Sequence, residues 1–177
     1  MKFIAAIVIF LVSASLWAQT LYAGMQLRQI KALSDQEIAD LRAGRGMGLA
    51  LAAEINGYPG PSHVLELADR LGLTSEQRGK VQEMFAAMRS EAIPLGSRLI
   101  DKEGELDQQF ASGSVTPESL RAATAAISII QGELRNAHLK YHLLTRAVLD
   151  KPQLDKYAEL RGYTGGASMH YHHRHEE

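Results

Sequence analysis

Two histidines four residues apart, His138 and His142, are the clearest candidates for chemistry in this sequence. The apolar spacing around them predicts a long helix, and residues at i and i+4 of a helix project from the same face. This spacing lets two imidazoles share one metal ion. Glu105 and Glu133 are candidate carboxylate ligands, which the sequence alone does not place. The alternative is that both histidines flank a buried seam and form ordinary hydrogen bonds there.

The C-terminal tail carries a second group of histidines, which Tyr171 and Arg174 interrupt. Its members are His170, His172, His173 and His175. Short histidine-rich tracts bind zinc, copper or nickel through neutral imidazoles. Because a purification tag is normally an unbroken run, the interruptions favour a native tail. The chain contains no cysteine, so thiolate ligands and a thiol nucleophile are excluded.

Three weaker patterns have ordinary structural explanations. Met84 and Met88 could offer thioethers to copper, but they lie on a predicted apolar seam, which favours core packing. His63 and Glu66 could form a ligand pair, although a solvated pair near a helix start is the more ordinary outcome. The glycine-rich sequence from 44 to 48 follows a predicted helix, which indicates a hinge rather than a phosphate-binding loop. No catalytic motif is recognised, so no catalytic residue is assigned and a binding protein is expected.

Helix start signals recur along the chain. Three of them place a cap residue three positions before a Glu or Gln: Ser34 with Glu37, Thr74 with Gln77, and Asp150 with Gln153. Each pair predicts a capping box, in which the cap side chain accepts a backbone N–H and the later side chain reaches back. A fourth start is predicted at Thr116, because Pro117 suits the first position of a helix.

These starts predict short helices at 35–43, 47–55, 62–71 and 151–160 around two long helices. In the long helices, apolar residues recur every three or four positions from 81 to 110 and from 120 to 148, including Leu144. Pro94 should kink the first long helix without ending it. Two long helices joined by a short turn must lie antiparallel. The predicted fold class is therefore all-α, a long antiparallel helical hairpin with short flanking helices.

The second long helix is apolar nearly all round, since Ile129, Leu139 and Leu143 lie off its main seam. A helix of this kind is usually buried on more than one side. The short flanking helices cover part of it, and a second copy of the chain would cover the rest. A homodimer is therefore predicted.

The N-terminus has the pattern of a secretory signal peptide. Lys2 is followed by an apolar run from 3 to 12, which is too short to span a bilayer, and then by small residues. Cleavage is predicted after Ala18, and the alternative is an uncleaved membrane anchor. With 19 Lys and Arg against 20 Asp and Glu, the chain has no basic footprint for nucleic acid. We expect export to the bacterial periplasm and no nucleic-acid partner.

The sequence at 73–77, Leu-Thr-Ser-Glu-Gln, matches the LTxxQ motif and resembles the Spy/CpxP family of periplasmic chaperones. The sequence at 149–153 is similar to a degenerate second copy, with Asp150 in place of threonine. On this resemblance the chain divides into a signal peptide at 1–18, an extension with short helices at 19–61, a Spy/CpxP-like helical domain at 62–163, and a disordered histidine-rich tail at 164–177.

The resemblance implies a thin, curved helical dimer that binds unfolded or misfolded envelope proteins without ATP. In the metal-sensing relatives of this family, His and Met side chains on the helices hold the ion. The resemblance gives that role to His138 and His142 here, and the tail is similar to those of zinc-binding members.

Two functions are therefore expected. The first is a periplasmic, ATP-independent chaperone or envelope-stress protein that requires no cofactor. The alternative is a periplasmic heavy-metal sensor or resistance protein that binds zinc, copper or nickel. A membrane sensor kinase or an anti-sigma factor is a further expected partner.

Overall fold

The computed structural model describes residues 22–165, and their regular structure is helical throughout. The helices are α1 (Asp35–Ala43), α2 (Leu51–Glu54), α3 (Pro61–Glu66), α4 (Ser75–Ala111), α5 (Pro117–Val148) and α6 (Lys151–Arg161), with short 3₁₀ turns at Met25–Leu27 and Tyr163–Gly165. Within the described residues no strand forms, and Ile30 and Leu33 make only an isolated bridge. The all-helical prediction is confirmed. The predicted signal peptide and the four tail histidines lie outside the described residues.

All three predicted capping boxes form. The Thr74 side chain accepts from the backbone N–H of Gln77, and the Gln77 side chain reaches back to the backbone N–H of Thr74 at 3.0 Å. Asp150 and Gln153 repeat this exchange at the start of α6, and Ser34 does so with Glu37 at the start of α1. These starts depend on side chains within four residues of one another, which is why the sequence predicts them correctly.

The glutamines of the two LTxxQ-like segments also bond each other. Gln77 Nε2 donates to Gln153 Oε1 at 2.9 Å, and Gln153 Nε2 donates to Gln77 Oε1 at 3.0 Å. Gln77 Nε2 also donates to the carbonyl of Val148 at 3.0 Å, where α5 ends. The starts of α4 and α6 and the end of α5 are therefore tied together at one end of the hairpin.

Helices α4 and α5 pack along each other as the predicted hairpin. Helix α4 continues through Pro94 without ending, as predicted. The main core lies between the hairpin and the segment before it; its buried members are Ile30, Ile38, Leu41, Ala92, Leu99, Ile100, Ile127, Ile130 and Leu134. A second core at the other end joins α3, α4 and α6 through Val64, Leu71, Val81, Leu149 and Tyr157.

No helix among residues 22–165 is both long and apolar enough to cross a membrane.

The predicted seams are wrong at three positions. Phe110 at the end of α4 and Leu120 near the start of α5 are 57% and 37% exposed. Leu144 is 46% exposed, and Thr145 is buried in its place. An α-helix has 3.6 residues per turn, so a seam written with a seven-residue repeat drifts by about 20° per repeat. The inward face has therefore passed from Leu144 to Thr145 by this point. The Thr145 hydroxyl donates to the carbonyl of Tyr141 at 2.7 Å, so its burial leaves no donor unused.

The short helices differ in length from the prediction. The helix expected at 47–55 is only Leu51–Glu54, because Met47 and Gly48 have φ of 42° and 82°, which no α-helix contains. Helix α3 begins at Pro61 and ends at Glu66, earlier than the expected 71. We call residues 30–60, which include α1 and α2 and lie across the hairpin, the strap.

Candidate functional site

His138 and His142 both line one cavity of about 280 Å³. The two residues are 2% and 7% exposed, so both are buried in the protein. The strap supplies the facing wall, and α3 adds His63 to the same cavity. The structure therefore brings the helical pair together with a third histidine, which the sequence could name but not place. We call this space the histidine cavity.

His142 is held in one tautomer by the strap. Its Nδ1 lies 2.7 Å from the carbonyl oxygen of Tyr58, and a carbonyl can only accept, so the proton is on Nδ1. The lone pair of the neutral ring is then on Nε2. A Cβ atom built on Gly60 would lie only 2.9 Å from this Nε2, so the strap backbone closely approaches the ring. Histidines that ligate metals usually donate their other ring N–H to a carbonyl or carboxylate in this way.

His138 carries a polar atom that no described residue satisfies. Its Nε2 is buried and has no hydrogen-bond partner among residues 22–165. Burial, followed by the nearby His142, lowers the pKa of His138, which keeps the ring neutral at neutral pH. An unsatisfied buried polar group costs about 1–3 kcal/mol. A neutral imidazole with an unused nitrogen in a cavity has the chemistry of a metal ligand.

Glu54 is the buried anion at the edge of this cavity. Its carboxylate accepts from the hydroxyl of Tyr157, from the hydroxyl of Tyr163 at 3.1 Å and from the backbone N–H of Gly60 at 3.1 Å. Arg161 Nε lies 3.4 Å away. The carboxylate therefore joins the strap to the C-terminal end of α6 and the turn that follows it.

The pKa of Glu54 reflects two opposed effects. Burial by itself raises it, but the neighbouring His63 and the hydrogen bonds from Tyr157 and Gly60 outweigh burial and lower the pKa to about 2. The carboxylate is thus ionised at neutral pH. Glu54 was not among the residues predicted from the sequence. It is a single acidic residue directly after the apolar run from 49 to 53, and this position could have indicated a buried carboxylate.

Three of the four weaker sequence candidates border the histidine cavity or the cavity next to it. His63 Nδ1 lies 3.3 Å from Glu54 Oε1 at the histidine cavity, whereas Glu66 lines a neighbouring cavity of about 500 Å³, which His63 also borders. Met88 is buried and borders both cavities. The Met84 sulfur instead lies 3.9 Å from the Thr145 hydroxyl, which fits its expected packing role.

The two candidate carboxylate ligands lie elsewhere. Glu133 pairs with Arg98 at 3.4 Å, and Glu105 pairs with Lys102 at 2.6 Å. Neither borders the histidine cavity. The carboxylate next to the histidines is Glu54, which comes from the strap and not from the hairpin.

The candidate metal ligands line the same cavity, but they do not surround a single point. In the arrangement that residues 22–165 adopt, no three His, Asp or Glu side chains are grouped closely enough to hold one metal ion. Binding a metal here therefore requires the side chains of the cavity to rearrange.

Comparison with known proteins found no match, so a proposed function must depend on the chemistry of the cavity. No family model, curated protein or solved structure matches the chain. The resemblance to the Spy/CpxP family therefore stays a prediction, which depends on the paired start motifs and the helical hairpin.

Proposed function

We propose that the protein is a metal-binding sensor or resistance protein of the bacterial periplasm, which binds zinc, copper or nickel in the histidine cavity. The observation that carries the proposal is the state of the two α5 histidines. His142 donates from Nδ1 to the carbonyl of Tyr58, which leaves the ring lone pair on Nε2, and His138 has a buried Nε2 with no partner among the described residues. The periplasmic location is proposed from the apolar N-terminal segment and the LTxxQ resemblance.

The donor set favours borderline and soft transition metals. Neutral imidazole nitrogens suit zinc, copper and nickel, whereas calcium and magnesium prefer sets of oxygen ligands. The buried Met88 sulfur borders the same cavity and would favour copper among these metals. Glu54 is ionised beside the rings, and its charge is shared with Arg161, which also lines the cavity. The role proposed for these residues is binding, and no enzymatic step is assigned to them.

The test is a calorimetric zinc titration of the full chain and of two matched variants. In the cavity variant, His138→Leu is combined with His142→Asn, because the asparagine amide can still donate to Tyr58 while Nε2 is removed. In the tail variant, His170, His172, His173 and His175 are all replaced by asparagine. The proposal expects the tightest zinc site to be lost in the cavity variant and kept in the tail variant. Identical titrations of the parent chain and the cavity variant would refute it.

A second candidate function, an ATP-independent chaperone, is favoured by the apolar side chains that the hairpin exposes. Ile129 and Leu143 are 60% and 59% exposed on α5, and Phe110 is exposed near the end of α4. Exposed apolar surface of this kind suits weak binding to unfolded or misfolded envelope proteins. The same surface would be covered in a homodimer, so dimer and client are alternative occupants of it.

Suppression of aggregation separates this function from metal binding alone. Light scattering of a denatured model protein is followed without ATP in the presence of the parent chain or of a variant that combines Ile129→Lys with Leu143→Lys. The control is Leu27→Lys, which changes a still more exposed leucine, 84% exposed, in the first 3₁₀ turn, away from α5. The chaperone proposal expects suppression by the parent and the control but not by the double variant. Equal suppression by all three proteins would exclude the α5 surface as the binding site.

A further inference from the structure

We infer that a cleft between the strap and the middle of the hairpin binds a free fatty acid, with the alkyl chain on a floor of leucines and the carboxylate at Arg135. We call this space the leucine cleft. It shares only Met47 with the histidine cavity among their lining residues. The inference therefore goes beyond the proposed metal-binding function and does not depend on it.

The leucine cleft has the size and the floor of a site for a small apolar ligand. Its volume is about 710 Å³, which lies within the range of about 300–1,000 Å³ that is usual for small-molecule sites. Five leucines from the strap, α4 and α5 line it: Leu33, Leu41, Leu49, Leu99 and Leu134. All five belong to the main core or pack against it, so the floor is held in place. An alkyl chain that lies on this floor loses contact with water, which favours binding.

The charged residues that line the cleft favour an anionic head group. Glu37 accepts hydrogen bonds from the backbone N–H and the hydroxyl of Ser34 at 2.8 and 2.6 Å, and Asp40 pairs with Arg45 at 2.6 Å. Arg135 is exposed and lines the same cleft, but its guanidinium has neither a hydrogen bond nor an ion pair within residues 22–165. A guanidinium can bind a carboxylate through two parallel hydrogen bonds. The cation without a partner therefore points to a carboxylate as the head group of the ligand.

Met47 has an unfavourable backbone conformation beside the cleft. Its φ is 42°, and within the described part of the chain no other residue except glycine has a positive φ. This left-handed region strains a residue that carries a side chain, and such strain is typically found at ligand sites. The strained backbone places a thioether side chain, 42% exposed, at the leucine cleft. Methionine is flexible and adapts well to apolar surfaces, so it suits contact with an alkyl chain.

Gly132 is a second residue whose type lowers stability, and it also lines the cleft. It lies in the interior of α5, where glycine destabilises a helix relative to alanine. A Cβ atom at this position would meet no atom within 4 Å, so helix packing in the described structure does not require a glycine. The missing side chain instead leaves the α5 wall of the cleft open. Space for a ligand gives a physical reason for this glycine.

The head group is tested by calorimetric titration of the full chain with decanoate, decanol and decylammonium, which carry the same alkyl chain. The parent should bind decanoate more tightly than the other two. Arg135→Gln should weaken decanoate binding about tenfold, because it removes charge-assisted hydrogen bonds, and should leave decanol binding unchanged. The matched control is Arg121→Gln, an exposed arginine of α5 that does not line the cleft, and it should bind decanoate as the parent does.

The chain-binding floor is tested with Gly132→Leu, which fills the cleft without a backbone clash. This variant should keep the helical circular dichroism of the parent and weaken decanoate and decanol binding about tenfold or more. Its control is Gly79→Leu on α4, where an added Cβ also meets no atom within 4 Å and the cleft is not involved.

Three results would overturn the inference. The first is absence of decanoate binding by the parent, or equal decanoate binding by the parent, Arg135→Gln and Gly132→Leu. The second is tighter binding of decylammonium than of decanoate, which would assign the head-group contact to Glu37 or Asp40. The third is a change from dimer to monomer in the sedimentation of Gly132→Leu with decanoate binding unchanged, which would assign the cleft to a second copy of the chain.

Discussion

Replacement of Glu54 by glutamine should lower the stability of the protein and make that stability less sensitive to acid. The change keeps the shape of the side chain but removes the charge that accepts hydrogen bonds from Tyr157, Tyr163 and Gly60. An amide presents one acceptor oxygen in place of two, and its NH₂ group would face a donor. The buried network around this position is therefore left incompletely satisfied.

The magnitude follows from the pKa of the carboxyl group. In the folded protein it is lowered to about 2, against 4.5 for an unperturbed glutamate. A pKa that is lower in the folded state stabilises that state above the unfolded pKa, and the contribution is lost as the pH falls toward the folded value. At about 1.4 kcal/mol per pKa unit, the ionised carboxylate contributes about 3 kcal/mol at pH 7 and about 1 kcal/mol at pH 3.

Urea denaturation followed by far-UV circular dichroism at these two pH values measures the effect. The free energy of unfolding of Glu54→Gln should fall below that of the parent at both pH values, and the loss should be about 2 kcal/mol larger at pH 7 than at pH 3. The control is Glu83→Gln on the exposed side of α4, which should change the free energy little at either pH. A loss of the same size at both pH values would show that the charge of Glu54 does not stabilise the fold, and would refute the reasoning.

Three further predictions address the histidines, the paired motifs and the α5 surface. His138→Leu should leave the free energy of unfolding unchanged or raise it by about 1 kcal/mol, because it removes an unsatisfied buried nitrogen, while a zinc titration shows loss of the cavity site. Gln153→Ala should lower the urea-unfolding free energy by about 1–2 kcal/mol, since it removes a capping contact and the amide partner of Gln77. Ile129→Lys with Leu143→Lys should shift the sedimentation of the protein from dimer to monomer, and a monomeric parent chain would refute the predicted homodimer.

The parts of the fold that the sequence predicted correctly depend on short-range chemistry. Thr74 and Asp150 start helices because a side chain three residues later completes the cap, and both partners are visible in the sequence. The inward face of α5 is also a local property, but it requires the true helical period. A seven-residue repeat places Leu144 on the inward face. The residue that is buried there is Thr145, one position later.

The candidate site was predictable only where one helix supplies it. His138 and His142 belong to one turn of α5, so their spacing alone predicts a shared face. Glu54 meets Tyr157 only after the strap and α6 have both packed on the hairpin, across 103 residues of sequence. No local pattern encodes that meeting. The third histidine, His63, was visible in the sequence but was paired with Glu66, its neighbour in the chain, rather than with Glu54, its neighbour in space.

The position of the unsatisfied His138 nitrogen argues for a role in binding rather than in stability. A cysteine-free domain has no disulfide to offset local losses, so each buried polar group without a partner reduces a small margin. A leucine at His138 would fill the same helix position without a desolvated nitrogen, and the rest of the main core does use aliphatic side chains. The unsatisfied ring nitrogen lies where the strap, α3 and α5 meet, not at a random point of the core. A ligand placed there would satisfy the nitrogen, which gives a physical reason for a costly residue at this junction.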